Sequence, residues 1–244
     1  AGNSIESGGN YNVVVGDEAG TAITTGDQNT GIGYEALNDT TTGGNNTSVG
    51  SISLSANTTG HSNVAVGQAA LTVSTTGTSN TAVGKSAGEQ VTTGIQNTLI
   101  GAFAGDAITT GTYNVALGTS ALSATTTASY NSALGADSLV TNTTGAQNVA
   151  VGYNALNANT TASNNTAVGS SALLVNTTGA DNTALGYATL TANTTGTLNT
   201  ASGSNALRYN TTGDNNTALG RLALYTNTTA SNNTAVGLSA LQAN

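Results

Sequence analysis

One glycine recurs every seventeen residues along the chain, at Gly16, Gly33, Gly50, Gly67, Gly84, Gly101, Gly118, Gly135, Gly152, Gly169, Gly186, Gly203, Gly220 and Gly237, with no insertion or deletion. A short fixed period held this long means that each unit is one supersecondary element and that stacked neighbours bury what a single unit cannot. The expectation of one or two globular domains that 244 residues would otherwise set gives way to a quasi-one-dimensional array. Residues 12–244 read as fourteen units, the last truncated, and residues 1–11 as the degenerate end of a preceding repeat. The chain begins at Ala1 without a methionine and ends part-way through a unit, which reads as a piece of a longer protein.

Composition narrows the choice of unit. There are 32 Gly, no Pro, Cys, Met or Trp and a single Phe, so the apolar side chains are mostly small. Cysteine-ligated metal and disulfide staples are excluded. No apolar run is long enough to insert into a membrane, and no signal-peptide pattern is present. Charged residues are 6% and the net charge is −8, with Lys85, Arg208 and Arg221 as the only fixed cations. Phosphate neutralisation needs clustered cations, which argues against nucleic acid as a partner. A low-charge, cysteine-free, Asn/Thr-rich chain suits an extracellular, cell-surface or virion location.

Number the unit so that its recurring glycine is position five. Position one is then always Asn: Asn12, Asn29, Asn46, Asn63, Asn80, Asn97, Asn114, Asn131, Asn148, Asn165, Asn182, Asn199, Asn216 and Asn233. Positions thirteen and fourteen are Thr-Thr, as at Thr24 and Thr25. Position four is Val, Ile or Leu except at Ser202, position eight is Ala or a small hydroxyl residue, and position nine is Leu in eleven units. Gly, Thr-Thr and Asn in every unit disfavour helix, and no 3.6-residue apolar stripe persists. Positions one to five alternate as a short strand does, with positions two and four on one face. A second extended stretch is expected at positions twelve to fourteen, with corners at glycines five and fifteen.

The expected fold is all-β, a parallel β-solenoid whose coils stack in register. Stacked position-one amides predict an Asn ladder along the axis, and the paired threonines predict hydroxyl ladders. At about 4.8 Å per coil, fourteen coils predict a rod of about 65 Å. Three units replace Leu at position nine by Gly20, Gly88 or Gly105, and the same three carry Ile23, Val91 or Ile108 at position twelve. That exchange conserves core volume if positions nine and twelve face one interior. Alternation then places position fourteen inside and thirteen outside, while positions four and nine supply the main apolar core. So thin a core points to burial against further copies of the chain, which would also cover the small alanines at positions three and eight.

The sequences NTAVG at 165–169, VAVG at 64–67 and NSALG at 131–135, each followed by a small-residue segment, resemble the repeats of trimeric autotransporter adhesin heads. The NTTG half of the unit is similar to repeats in bacteriophage tail-fibre proteins. The resemblance spans residues 12–244 and implies a left-handed parallel β-roll, an intertwined homotrimer, used as a rigid attachment fibre. Adhesin heads usually have a shorter unit, and the polar NTT segment is extra here. No neck motif or heptad stalk occurs in the sequence.

For chemistry the residues offer little. His61 is the only histidine and has no ligand partners for zinc. Asp27, Asp181 and Asp214 read as solvated corner charges, and Asp17 with Glu18 lacks a partner that would tune a general acid. No phosphate-cradling glycine motif occurs. No enzyme activity, cofactor or metal site is expected. Tyr34, Tyr153 and Tyr187 share position six and could stack on sugar rings as glycan-contacting aromatics; Tyr11, Tyr113 and Tyr130 share position seventeen. Asn-x-Thr sequons such as Asn57 and Asn176 follow from the repeat itself. The leading expectation is a structural fibre segment of an adhesin or phage tail fibre, self-associating and supporting attachment to a glycan or other surface receptor. The alternative is an ice-binding β-solenoid, disfavoured if only position thirteen presents threonine outward.

Overall fold

The computed structural model describes residues 9–243 and divides after Ala128 into two compact units, each taken here by itself. The first contains β1 (Val13–Val15), β2 (Thr30–Ile32), β3 (Thr47–Val49), β4 (Val64–Val66), β5 (Thr81–Val83), β6 (Thr98–Ile100) and β7 (Val115–Leu117). The second contains β8 (Ser132–Leu134), β9 (Val149–Val151), β10 (Thr166–Val168), β11 (Thr183–Leu185), β12 (Thr200–Ser202), β13 (Thr217–Leu219) and β14 (Thr234–Val236). Within each unit consecutive strands pair in parallel and in register at a spacing of seventeen, as Thr166 with Thr183, Ala167 with Ala184 and Val168 with Leu185. Each unit of the chain is therefore a parallel β-solenoid without helix among the described residues. Of the expected leading segment, residues 1–8 lie outside the described residues. Its last residues keep the coil register, with the Gln28 N–H donating to the Asn10 carbonyl at 2.9 Å.

Each coil has one strand, not two. Positions two to four are β-branched or small residues that suit a pleated surface. Positions twelve to fifteen stack from coil to coil without a ladder: the N–H groups of Thr24 and Gly26 both donate to the Thr41 carbonyl, at 3.0 and 3.2 Å. A regular parallel ladder spaces its bonds evenly, one donor to each carbonyl, so this stretch is bent.

The remainder of the coil is a chain of overlapping turns. In the second coil Ala36 N–H bonds the Gly33 carbonyl at 3.3 Å, Asn38 N–H that of Glu35 at 3.3 Å and Thr40 N–H that of Leu37 at 3.2 Å. Turns of this type need a positive φ at their third residue. Glu35 (φ 53) and Leu37 (φ 57) supply it in the first two, and positions seven, nine and seventeen are left-handed in coil after coil. Left-handed residues reverse the direction of their amides, so Glu35 N–H reaches back to the Asp17 carbonyl while Gly20 N–H reaches forward to that of Ala36, both at 3.0 Å. The repeating glycine has φ between 126° and 143°. At Gly169 an added Cβ would sit 2.4 Å from the Gly186 carbonyl oxygen, so both backbone angle and space require glycine there.

Burial corrects the expected assignment of faces. Position three points inward: Ala65, Ala82, Ala150, Ala167 and Ala184 are fully buried, as are the position-eight alanines such as Ala36 and Ala172. Position four, expected in the core, faces out, with Leu117 46%, Ile32 40% and Leu185 39% exposed. Position fourteen, expected inside, is exposed at Thr42 and Thr59. Thr41 and Thr58 at position thirteen are half-buried, and Thr41 Oγ1 donates to the Thr58 carbonyl at 3.0 Å. The small alanines are covered by their own coil rather than by another copy. The interior holds Asn at position one, Ala at three and eight, Leu at nine, a polar residue at twelve and Gly or Ala at fifteen.

Positions nine and twelve do share that interior. Leu37, Leu54, Leu173 and Leu190 are fully buried, and so are Ile23, Val91 and Ile108 in the coils with glycine at position nine. A Cβ added to Gly105 would meet Leu99 Cδ2 at 2.7 Å and Ile108 Cδ1 at 2.8 Å; one added to Gly20 would meet Val14 Cγ1 at 2.6 Å and Ile23 Cδ1 at 2.9 Å. The space left by the missing leucine is thus filled from position twelve and also from position three, where Val14 and Leu99 replace alanine. Close packing leaves no other solution, because a void forfeits contacts on one side.

Candidate functional surface

Two amide ladders define the inside of the solenoid. Along position one, Asn182 Oδ1 accepts from Asn199 N–H at 3.0 Å and from Asn199 Nδ2 at 3.1 Å, while Asn182 Nδ2 donates to Asn165 Oδ1 at 3.2 Å and to the Gly196 carbonyl at 2.8 Å. The side chain so ties each coil to the next and closes its own coil between positions one and fifteen. The pattern repeats in the first unit, for example at Asn63, Asn80 and Asn97. A second ladder at position twelve runs through Asn142, Asn159, Asn176, Asn193, Asn210 and Asn227, with Nδ2 to Oδ1 distances between 2.8 and 3.0 Å. In the first unit that ladder is interrupted. Asn57 stands between Thr40 and Ser74, and Asn57 Oδ1 and Ser74 Oγ are buried without partners. Because Asn57 and Asn176 are fully buried, these sequons present no accessible amide on the folded chain.

The outside offers one continuous surface within each unit, formed by positions two and four of the strands. It carries a rank of half-exposed Thr or Val beside a rank of aliphatics. Monomeric surfaces seldom carry contiguous apolar ranks of this kind.

Of the position-six tyrosines, Tyr34 lies in the first unit, and Tyr153 and Tyr187 lie two coils apart in the second; Tyr34 is 48%, Tyr153 57% and Tyr187 59% exposed. The phenol of Tyr34 is pushed up to about 12 by its hydrogen bond with Glu35 and by the charges of Glu35, Glu18 and Asp17. Sequence reading passed over a pair of rings in adjacent coils, Tyr209 and Tyr225, which meet edge to face with centroids 5.0 Å apart. The Arg208 guanidinium lies 5.7 Å from the Tyr209 ring centroid, and its Nη1 donates to Asn205 Oδ1 at 2.7 Å. The signal was present in the composition of positions ten and eleven, which hold no other tyrosine or arginine. On the first unit Lys85 stands 5.6 Å from the Phe103 ring centroid.

Among the described residues no enclosed pocket exists, and no three His, Asp or Glu side chains gather as a metal site. His61 is exposed beside the Ser62 hydroxyl at 3.3 Å. Asp214 Oδ1 accepts from Thr197 N–H at 2.7 Å and Thr197 Oγ1 at 3.0 Å, a corner tie between coils; Asp27 does the same for the Asn10 N–H at 2.7 Å. Asp181 occupies a left-handed corner with φ 58. No helix among the described residues is long and apolar enough to cross a membrane. In comparison with known proteins, no family model, no curated protein and no solved structure matches the chain.

Proposed function

We propose that this chain is a structural segment of an extracellular or virion attachment fibre, a rigid spacer built from copies of itself and without catalytic activity. The observation that carries the reading is the outward position-four rank. Most coils bury a single large aliphatic, at position nine or twelve, and leave a second exposed or half-buried at position four; the coil of Ile108 also buries Leu99, and Ser202 replaces the aliphatic in one coil. Burying such a side chain contributes about 1.5–3 kcal/mol, and the surface repeats at the spacing of the coils, so identical copies can bury it along its whole length. Three copies packed by these faces, each wound left-handed, are the arrangement the repeat's resemblance to adhesin heads and tail fibres supports. The interior ladders suit a spacer, since within each unit the position-one amides bond coil to coil.

Sedimentation equilibrium tests the assembly: a stable trimer is expected, and a double substitution Val168→Lys with Leu185→Lys on the exposed face is expected to give folded protein that dissociates. A stable monomer in the unsubstituted protein overturns the reading.

Ice binding is a second reading that gains one observation. Position fourteen presents threonine outward, as at Thr42 and Thr59, and position two adds a half-exposed rank. The rank beside position two is aliphatic, and position-thirteen hydroxyls are engaged by carbonyls, as Thr177 Oγ1 is with Thr194 at 3.1 Å. Measurable thermal hysteresis at micromolar protein would favour ice binding; a normal freezing point discards it.

A further inference from the structure

We propose that the eleventh to thirteenth coils carry a binding site for an anionic saccharide, built from Tyr187, Arg208, Tyr209, Arg221 and Tyr225. The inference does not rest on the fibre reading and can fail while that reading stands. Both arginines of the chain fall within fourteen residues, and the second unit as a whole holds only three acidic side chains, Asp137, Asp181 and Asp214. Backbone bonds fix the placement. Asn205 N–H donates to the Tyr187 carbonyl at 2.9 Å and Leu222 N–H to that of Ser204 at 3.2 Å, so Tyr187, Ser204 and Arg221 occupy one column in successive coils. Tyr209 N–H donates to the Tyr225 carbonyl at 3.3 Å, which stacks the coils carrying the ring pair.

Arg208 reaches Asn205, which in turn bonds the Ser204 hydroxyl of the first column, and lies against the Tyr209 ring. It spends one N–H on Asn205, packs against Tyr209 and forms no ion pair among the described residues. A planar guanidinium with spare donors matches a carboxylate, sulfate or phosphate in two-point contact. Arg221, exposed one coil above Ser204, adds a second cation. Tyr187 and Tyr209 offer rings 59% and 43% exposed, each an apolar body with a polar tip, of the kind that packs on a sugar while its hydroxyl bonds water or ligand. The Tyr225 phenol is raised by its hydrogen bond with Tyr209. Neither apolar ligands nor cations fit a shallow surface whose distinguishing groups are the tyrosine rings and two arginines without ion pairs among the described residues.

Titration calorimetry on the full chain with oligogalacturonate, sulfated dextran fragments and neutral dextran of similar length tests the site. Binding to one or both anionic probes and none to dextran is expected, and the responding probe identifies the anionic group. The double substitution Arg208→Gln with Arg221→Gln should weaken binding by about tenfold or more, as should Tyr209→Ala, while Lys85→Gln on the other unit leaves it unchanged. Circular dichroism of each variant verifies that the coils remain folded. No binding to either anionic probe, equal binding to dextran, or undiminished binding in R208Q/R221Q or Y209A overturns the proposal.

Discussion

The two units share a backbone and differ in what they put inside it. The second unit is uniform: every coil has leucine at position nine, and its position-twelve asparagines form an unbroken ladder from Asn142 to Asn227. The first unit mixes two solutions, with glycine at Gly20, Gly88 and Gly105, aliphatics at position twelve in the same coils, and buried atoms of Asn57 and Ser74 left without partners inside the stack, where among the described residues of the second unit only Asn227 Oδ1 at the end of the ladder is so left. It also carries most of the charge, eight acidic residues against one lysine, where the second has three against two arginines. The coil geometry therefore tolerates either an apolar or an amide filling. What it does not tolerate is a change at the position both units hold in common.

That claim gives the largest expected effect. Gly84→Ala in the first unit and Gly169→Ala in the second should each cost about 3 kcal/mol or more, because the Cβ would meet the Gly101 or Gly186 carbonyl oxygen at 2.5 or 2.4 Å in a backbone region closed to alanine. Chemical denaturation of both variants should give similar losses. A large loss in one unit and a small one in the other would break the shared-backbone half of the comparison.

Position nine separates the units more finely. Leu173 has φ 51 and is fully buried. Left-handed backbone costs a non-glycine residue roughly 1–2 kcal/mol, which the buried side chain offsets at about 1.5–3 kcal/mol. Leu173→Ala should lose about 2–5 kcal/mol and keep the strain. Leu173→Gly relieves it, and should be the more stable variant of the two by about 1 kcal/mol, the reverse of the order seen in ordinary strand or helix interiors. If the alanine variant proves the more stable, strain is not what makes glycine the natural alternative in the first unit.

This alternation was legible in the sequence because two positions change together, and a paired change points to a shared volume. The Asn ladder and the register were legible for a similar reason, since a residue repeated at fixed spacing must stack on itself. The direction of the strand was not. Three residues offer two phases, and choosing the phase by hydrophobicity put Val168 inside when Ala167 is the buried residue; a one-residue shift inverts every side chain. The third position, small in every coil except those of Val14 and Leu99 where position nine is glycine, was the better guide, because the leucine from position nine already occupies the interior. Alternation also fails at positions thirteen and fourteen, where the chain bends. The ring pair at Tyr209 and Tyr225 escaped notice because it joins two different positions in adjacent coils, which a column-by-column reading keeps apart.

The ladders supply the next test. Asn176→Ala removes the donor to Asn159 Oδ1 and to the Gly179 carbonyl, and the acceptor of Asn193 Nδ2. Buried groups left unpaired cost about 1–3 kcal/mol each, so a loss of about 3 kcal/mol is expected. Asn57→Ala should cost about 1 kcal/mol less, since it also removes an oxygen already without a partner. Equal losses would mean that the interrupted ladder is no weaker than the continuous one.

The smallest effect concerns charge in the first unit. Asp106 stacks on Glu89 at position ten, and Asp106 Oδ1 is buried without a partner. Burial, and then the charge of Glu89, raises the Asp106 carboxyl above its usual value. A carboxyl whose folded-state value is raised binds its proton more readily folded than unfolded, so its contribution to stability falls as pH rises from the unfolded value through the folded one. Asp106→Asn removes that penalty. The variant should exceed the unsubstituted protein in melting temperature at pH 7, and the advantage should shrink as pH falls toward the ordinary aspartate range near 3.8. A difference that stays constant with pH would place the cost in the hydrogen bonding of the carboxyl rather than in its charge, and the acidic character of the first unit would then have no bearing on its stability.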